Sequence, residues 1–236
     1  RDVRFTDQEV LYMPPPNSEI LLQAEDLSKS YSDTGDLRAR YVIRNLNLAI
    51  RSGESVAVFG PSGSGKSTLF NLLGGLDHPD SGTVTYNGRD LAALGERDLA
   101  TLRNNTFGYV FTQHHLLPQC TVMENVLLPL LAGHVSAPRN RARGLLAAVC
   151  LDDRTNAFPH ELNDNERQRA ALARAAINQP SVFLADEPTG MLDDTQTENL
   201  CRMLMRLQED VQAALVVMTH DRRIAELMGR TVELKD

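Results

Sequence analysis

The chain has 236 residues, a net charge of −7 and 42% hydrophobic residues, enough to bury a sizeable core in one large domain or in a core with a sub-domain. A small disulfide scaffold is excluded, and the acidic balance without a concentrated basic face argues against binding to duplex nucleic acid. The three cysteines, Cys120, Cys150 and Cys201, are widely spaced without a metal-ligand pattern, so each reads as a small buried hydrophobe in a reducing compartment.

Arg1 to Ser18, with prolines at 14, 15 and 16, is expected to be an extended leader without chemistry. It shows no signal-peptide pattern, and no run of about eighteen apolar residues follows, so the chain itself is expected not to cross a membrane. From Glu19, alternation in ILLQAEDLSKSY predicts a strand ending at Tyr31. The polar SDTGDLRAR then reads as a turn, and YVIRNLNLAI (Tyr41 to Ile50) as a second strand. Tyr31 is open to two readings: an ordinary strand-end tyrosine, or a ring that stacks on a base, a contact of about 1–3 kcal/mol.

Next comes ESVAVF (Glu54 to Phe59), an apolar strand, and then GPSGSGKST (Gly60 to Thr68), a complete match to G-x-x-x-x-G-K-[ST]. Glycines in that pattern let backbone N–H groups of Gly60, Ser62, Gly63, Ser64, Gly65 and Thr68 turn toward phosphate oxygens. Lys66 adds charge to the outer phosphates, Ser67 offers a hydroxyl to Mg²⁺, and a helix predicted over Lys66 to Gly74 aims its positive end at the same anion. Beyond it, HPDSGTVTYNGRDL carries turn pairs at Ser81-Gly82 and Asn87-Gly88 around a short strand, TVTY. The segments Gly95 to Asn104, Thr121 to Ala132 and Ala137 to Cys150 have helical composition or spacing.

A further helix is expected from Glu166 (ERQRAALARAAIN), followed by the apolar strands SVFLAD and ALVVMTH. Strands and crossover helices on a phosphate-loop scaffold indicate an α/β topology with a mostly parallel sheet. An acidic residue ending an apolar strand is where such a protein holds its metal, which points to Asp186. Glu187, one residue on, is placed to polarise an attacking water. His220, after the last strand, is either structural or a contact to the γ-phosphate and that water.

Together NLLGGLDHPDSG, HHLLP (His114 to Pro118), TVMENVLLPLL, ERQRAALARA and LADEPTG resemble the nucleotide-binding subunits of ATP-binding-cassette transporters, specifically the lipoprotein-release and macrolide-exporter branch. The resemblance covers about Glu19 to Asp236. It implies a phosphate-loop core (residues 19–94 and 166–236) with an antiparallel β subdomain, and an inserted helical lobe (residues 95–165). It also implies ATP and Mg²⁺ as ligands, Tyr31 stacked on adenine, Lys66, Glu187 and His220 as the catalytic set, and Ser67 and Asp186 on the metal. Two such subunits, alike or different, would close head to tail over ATP at the cytoplasmic face of the inner membrane and drive separate integral membrane permease subunits.

Three positions depart from the family pattern. LSGGE reads here Leu162-Asn163-Asp164-Asn165-Glu166. In the family this turn binds the partner's γ-phosphate through a serine and glycine N–H groups, and side chains obstruct that approach. Asp164 adds a charge whose repulsion at ~4 Å is about 1 kcal/mol in water and about 4 kcal/mol at an effective dielectric constant near 20. Asn163 and Glu166 keep the spacing of a capping box, so the helix is expected to form. Thr112 stands where the family has its metal-contacting glutamine, and Gln113 comes one residue late, leaving either to serve. Met191 replaces an asparagine before Leu192-Asp193. The expectation is an ATPase that is slow as an isolated chain; the alternative is an ATP-binding subunit whose hydrolysis is impaired.

Overall fold

In the computed structural model, which describes residues 19–31, 40–133 and 139–234, the chain begins with β1 (Ile20–Tyr31), β2 (Arg40–Arg51), β3 (Ser55–Phe59) and α1 (Lys66–Leu73). Then follow β4 (Ser81–Tyr86), β5 (Arg89–Asp90), α2 (Glu96–Thr106), β6 (Phe107–Val110), α3 (Val122–Ala132) and α4 (Arg139–Ala148). The remainder is α5 (Asp164–Ala176), β7 (Val182–Asp186), α6 (Asp194–Val211), β8 (Ala214–Thr219), α7 (Arg222–Leu227) and β9 (Arg230–Glu233). The expected leader, residues 1–18, and the turn-rich residues 32–39 lie outside the described residues. Among those described, no helix is long and apolar enough to cross a membrane.

Contacts divide the chain into two compact units, Arg1–Ala100 with Ala214–Asp236, and Thr101–Ala213. The first holds an antiparallel sheet in the order β2-β1-β4-β5, and a parallel set in which β3 lies between β8 and β9. The residue choice explains the difference. In β3, Val56, Ala57 and Val58 are all buried, and in β8 every residue from Ala214 to Thr219 is. Strands covered on both faces read as continuous apolar runs, whereas β2 alternates and leaves one side wet. Beneath the strands, α1 buries Leu69, Phe70, Leu72 and Leu73.

The second unit pairs β6 with β7 in parallel and is built around α5, which packs against α3, α4, α6 and β6. Seven of its residues are buried, six of them Ala or Leu, so neighbouring backbones approach closely. Gly108 shows how closely: a Cβ there would stand 2.6 Å from the Ala175 carbonyl oxygen and 2.8 Å from the Phe183 ring.

The structure corrects three local expectations. Ser81-Gly82 is not a turn but the start of β4, where Gly82 (φ 82°) lies against the backbone of Glu25 and Asp26 at a bulge in β1. The Asn87-Gly88 pair does turn the β4–β5 hairpin, both residues having positive φ. A strand, β6, lies between the expected helical segments 95–104 and 121–132, where no strand was expected; at four residues it is too short to show a period. Among the cysteines, Cys201 is buried but Cys120 is half-buried and Cys150 exposed. Cys150 takes a left-handed φ of 55° just past α4, a helix-ending role that turns its side chain outward.

Candidate nucleotide site

The loop between β3 and α1 is shaped by Gly63 and Gly65, whose φ values of 80° and 99° lie in the left-handed region. At Gly65 a Cβ would also meet the Val42 carbonyl oxygen and Cγ1 at 3.0 Å, so both conformation and space require glycine. Gly65 serves as the N-cap of α1 and offers no side chain to its first N–H groups, a helix start suited to an anion. Lys66 is 6% exposed, and its Nζ donates to the carbonyls of Gly60 (2.8 Å) and Pro61 (2.9 Å). Ser64 Oγ is buried without a hydrogen-bond partner among the described residues. Ser62 and Ser67 are exposed, and Thr68 is half-buried.

Two other predicted residues belong to the same unit. Thr219 pairs with Phe59, and its carbonyl accepts the Gly60 N–H at 3.2 Å, so His220 emerges, exposed, beside the start of the loop. Tyr31 ends β1 with 46% of its surface exposed, and the Thr68 hydroxyl is among the groups acting on its phenol.

Asp186 and Glu187 stand in the other unit, where β7 ends. Glu187 has φ 45°, a left-handed conformation uncommon for a residue with a side chain and often found at functional sites. The adjoining backbone is tied down on both sides. Thr112 Oγ1 donates to the Asp186 carbonyl at 2.9 Å, while its methyl lies 3.3 Å from where a Gly190 Cβ would be. Gln168, on α5 and 1% exposed, donates through Nε2 to the carbonyls of Phe111 (3.1 Å) and Pro188 (2.8 Å). Thr112 is thus engaged with the end of β7, whereas Gln113 points into solvent. Replacing Gln168 by methionine, of similar length, would leave both carbonyls without that donor. The expected loss of stability is about 1–3 kcal/mol, read from urea unfolding midpoints at unchanged m.

The altered signature segment opens α5 two residues earlier than the sequence suggested. Asn163 is its N-cap: its Oδ1 accepts the Glu166 N–H, and Glu166 Oε2 accepts the Asn163 N–H, each at 2.9 Å. Asn165 follows in the first turn, half-buried. Asp164 Oδ1 accepts from Arg167 Nη2 at 2.6 Å and lies 3.7 Å from His114 Nε2. The bond from Arg167 holds the Asp164 carboxyl below its usual range, and burial, aided by Arg167, pushes the His114 imidazole down. A charge that the sequence left bare is therefore compensated locally. Arg174, further along α5, pins the carbonyls of His115 (2.6 Å) and His114 (2.7 Å), and buried Asn125 binds Leu117, Cys120 and Thr121 through its amide. Sequence reading passed over Gln168, Asn125 and Arg174; a buried polar residue amid an apolar helical face was the available signal.

The Ser67 hydroxyl in the first unit and the Asp186 carboxylate in the second are both hard oxygens, the donor type that Mg²⁺ takes. Among the described residues no cluster of three or more His, Cys, Asp or Glu could hold a metal alone. Mg²⁺ is commonly held in that way, with few protein oxygens and the rest from phosphate and water.

Comparison with known proteins places the fold in a family. A family profile described as "ABC transporter" matches residues 43–190. The chain is similar to lipoprotein-releasing system ATP-binding protein LolD 1 of Rhodopirellula baltica, 47% identical over 92% of this chain and 94% of that one. It is also similar to LolD of Pseudomonas fluorescens, 43% identical over 93% and 97%. Among solved structures, the dimeric bacterial ABC transporter cassette MJ0796 superposes with a TM-score of 0.84 at 36% identity, covering 91% of this chain and 94% of that one; the same cassette is also known bound to ADP and Pi. A matching profile over more than half of the chain, relatives along nearly the full length and a shared fold leave one assignment: the chain belongs to the ABC transporter family, as an ATP-binding cassette.

Proposed function

We propose that the chain binds and hydrolyses ATP as the cassette subunit of a lipoprotein-release transporter, paired with a second cassette and with separate membrane permease subunits at the cytoplasmic face of the inner membrane. The observation that carries the reading is the phosphate loop, with Gly63 and Gly65 in conformations only glycine adopts readily and a buried Lys66 at the helix start. The release system is inferred from the relatives' names.

In this reading backbone N–H groups of the loop and Lys66 hold the phosphates, and Tyr31 stacks on adenine. Ser67 and Asp186 hold Mg²⁺, which when bound neutralises charge on the phosphates. Glu187 accepts a proton from the attacking water, and His220 orients that water against the γ-phosphate. Thr112, bonded to the backbone of Asp186, takes the place of the family glutamine as a link to the metal-binding strand, and Gln113 does not. Residues 95–165 form the lobe that engages the permease. The test is steady-state phosphate release by the cassette with its membrane partner, and release no greater than that of a Glu187→Gln control overturns the assignment.

A second reading, that this signature segment serves an ATP-bound closed state poorly, is favoured by the side chains at Asn163, Asp164 and Asn165. The Arg167 bond to Asp164 reduces the repulsion a bare carboxylate would exert, so obstruction by side chains is the larger remaining effect. Restoring Asn163→Ser, Asp164→Gly and Asn165→Gly together is expected to raise turnover about tenfold, because each recovered phosphate contact favours closure. An unchanged rate in the permease complex counts against this second reading.

A further inference from the structure

The LDHPDSG stretch after α1 carries a cluster that no step above uses, and it converges on Tyr31. The Tyr31 phenol donates to Asp77 Oδ2 at 3.0 Å. The other oxygen of that carboxylate accepts from Lys29 Nζ at 3.0 Å. Lys29 is held a second time by the His78 carbonyl at 2.6 Å, and its ammonium lies over the Tyr31 ring, 5.3 Å from the centroid. Asp80 fixes the intervening residue, accepting from both the N–H (2.7 Å) and the hydroxyl (2.6 Å) of Ser30. A tyrosine at a strand end would otherwise turn about χ1 and χ2, yet this one is held at its hydroxyl and covered on one face.

We propose that Asp77 and Lys29 are positioning residues for the nucleotide base: Lys29 closes one face of the Tyr31 ring, Asp77 fixes its plane, and only the opposite face is left for a purine to stack on. The inference rests on the reading of Tyr31 as the adenine-stacking residue and explains how an exposed ring, beside Thr68 of the phosphate loop, is ordered before the base arrives. Preorganisation of this kind strengthens binding by removing the cost of immobilising a side chain on association. The ammonium is drawn to the π face, and because its charge is also bonded to Asp77 it stays there. Burial alone would raise the Asp77 carboxyl, but the bonds from Lys29, the His78 N–H and Tyr31 outweigh it and keep the group ionised, an acceptor for both partners at neutral pH.

The test measures equilibrium affinity of the whole cassette for ATP and, separately, for inorganic tripolyphosphate, each with Mg²⁺. Tripolyphosphate reports the phosphate loop without a base. Tyr31→Phe keeps the stacking ring and removes the hydroxyl, with its bond to Asp77 and its contact with Thr68; Lys29→Met removes the cation; Asp77→Asn weakens both of the Asp77 contacts. Each is expected to weaken ATP binding about threefold to tenfold and to leave tripolyphosphate binding unchanged. Tyr31→Phe touches no backbone bond of the turn and Lys29→Met loses only the one to the His78 carbonyl, so the result stands if Asp77→Asn folds poorly. If Tyr31→Phe and Lys29→Met bind ATP as tightly as the original chain, or if both ligands weaken equally, the positioning role is overturned. Tyr31→Ala separates the two layers: unchanged ATP affinity in that variant overturns adenine stacking itself.

Discussion

Replacing Lys66 by methionine is expected to lower ATP affinity by about a hundredfold or more, the largest binding effect of any single change in the chain. The ammonium is buried, and its bonds to the Gly60 and Pro61 carbonyls hold it at the loop. Bonds between an ammonium and phosphate oxygens contribute about 1.5–3 kcal/mol each, so losing two removes two to four powers of ten. Methionine matches the stem and lets Leu69, Phe70, Leu72 and Leu73 keep α1 in place. Titration calorimetry with ATP, alongside a thermal unfolding curve, separates lost binding from lost fold. Affinity within threefold of the original would show that the lysine serves the loop's own carbonyls rather than the nucleotide.

Glu187→Gln should act on the rate instead. With general-base assistance removed, ATP turnover in the permease complex is expected to fall by about 10²–10⁴-fold while ATP still binds. Glutamine has the same shape and so inherits the same left-handed backbone at φ 45°. The Thr112 and Gln168 bonds that fix the flanking carbonyls are unaffected by the change, because they are made to the main chain. Phosphate release and equilibrium ATP binding measured on one preparation check both halves. Equal losses in rate and affinity would place Glu187 among the binding groups and leave the base to another residue.

How far these residues could be found in advance depended on how local their causes are. The phosphate loop, the strand before it and the helix after it were legible because glycine conformations, an apolar run and a 3.6-residue period are all written within the single stretch from Glu54 to Gly74. The capping box of Asn163 and Glu166 was legible for the same reason. Thr112 was not. Alone it reads as a missing glutamine, and its function as a tie to Asp186 depends on a carbonyl 74 positions away. The bond from Tyr31 to Asp77 spans 46 positions, so the sequence left Tyr31 open between two readings. Asp164 shows the reverse error: its compensating partner, Arg167, was only three residues off, one helical turn away, and the spacing could have revealed it.

The contrast along α5 bears on how such a subunit can change over time. From Gln168 onward the helix is jacketed so tightly that an added methyl on the neighbouring Gly108 would strike its backbone. Its first turn, by contrast, is exposed at Asn163 and Asp164 and capped by its own side chains. Mutation can therefore rewrite the end that would meet a partner's nucleotide while selection for folding acts on the rest. Substitutions there escape the purge that removes destabilising changes, and a lineage whose transporter tolerates one weak site could accumulate them, or reverse them, without passing through an unfolded intermediate.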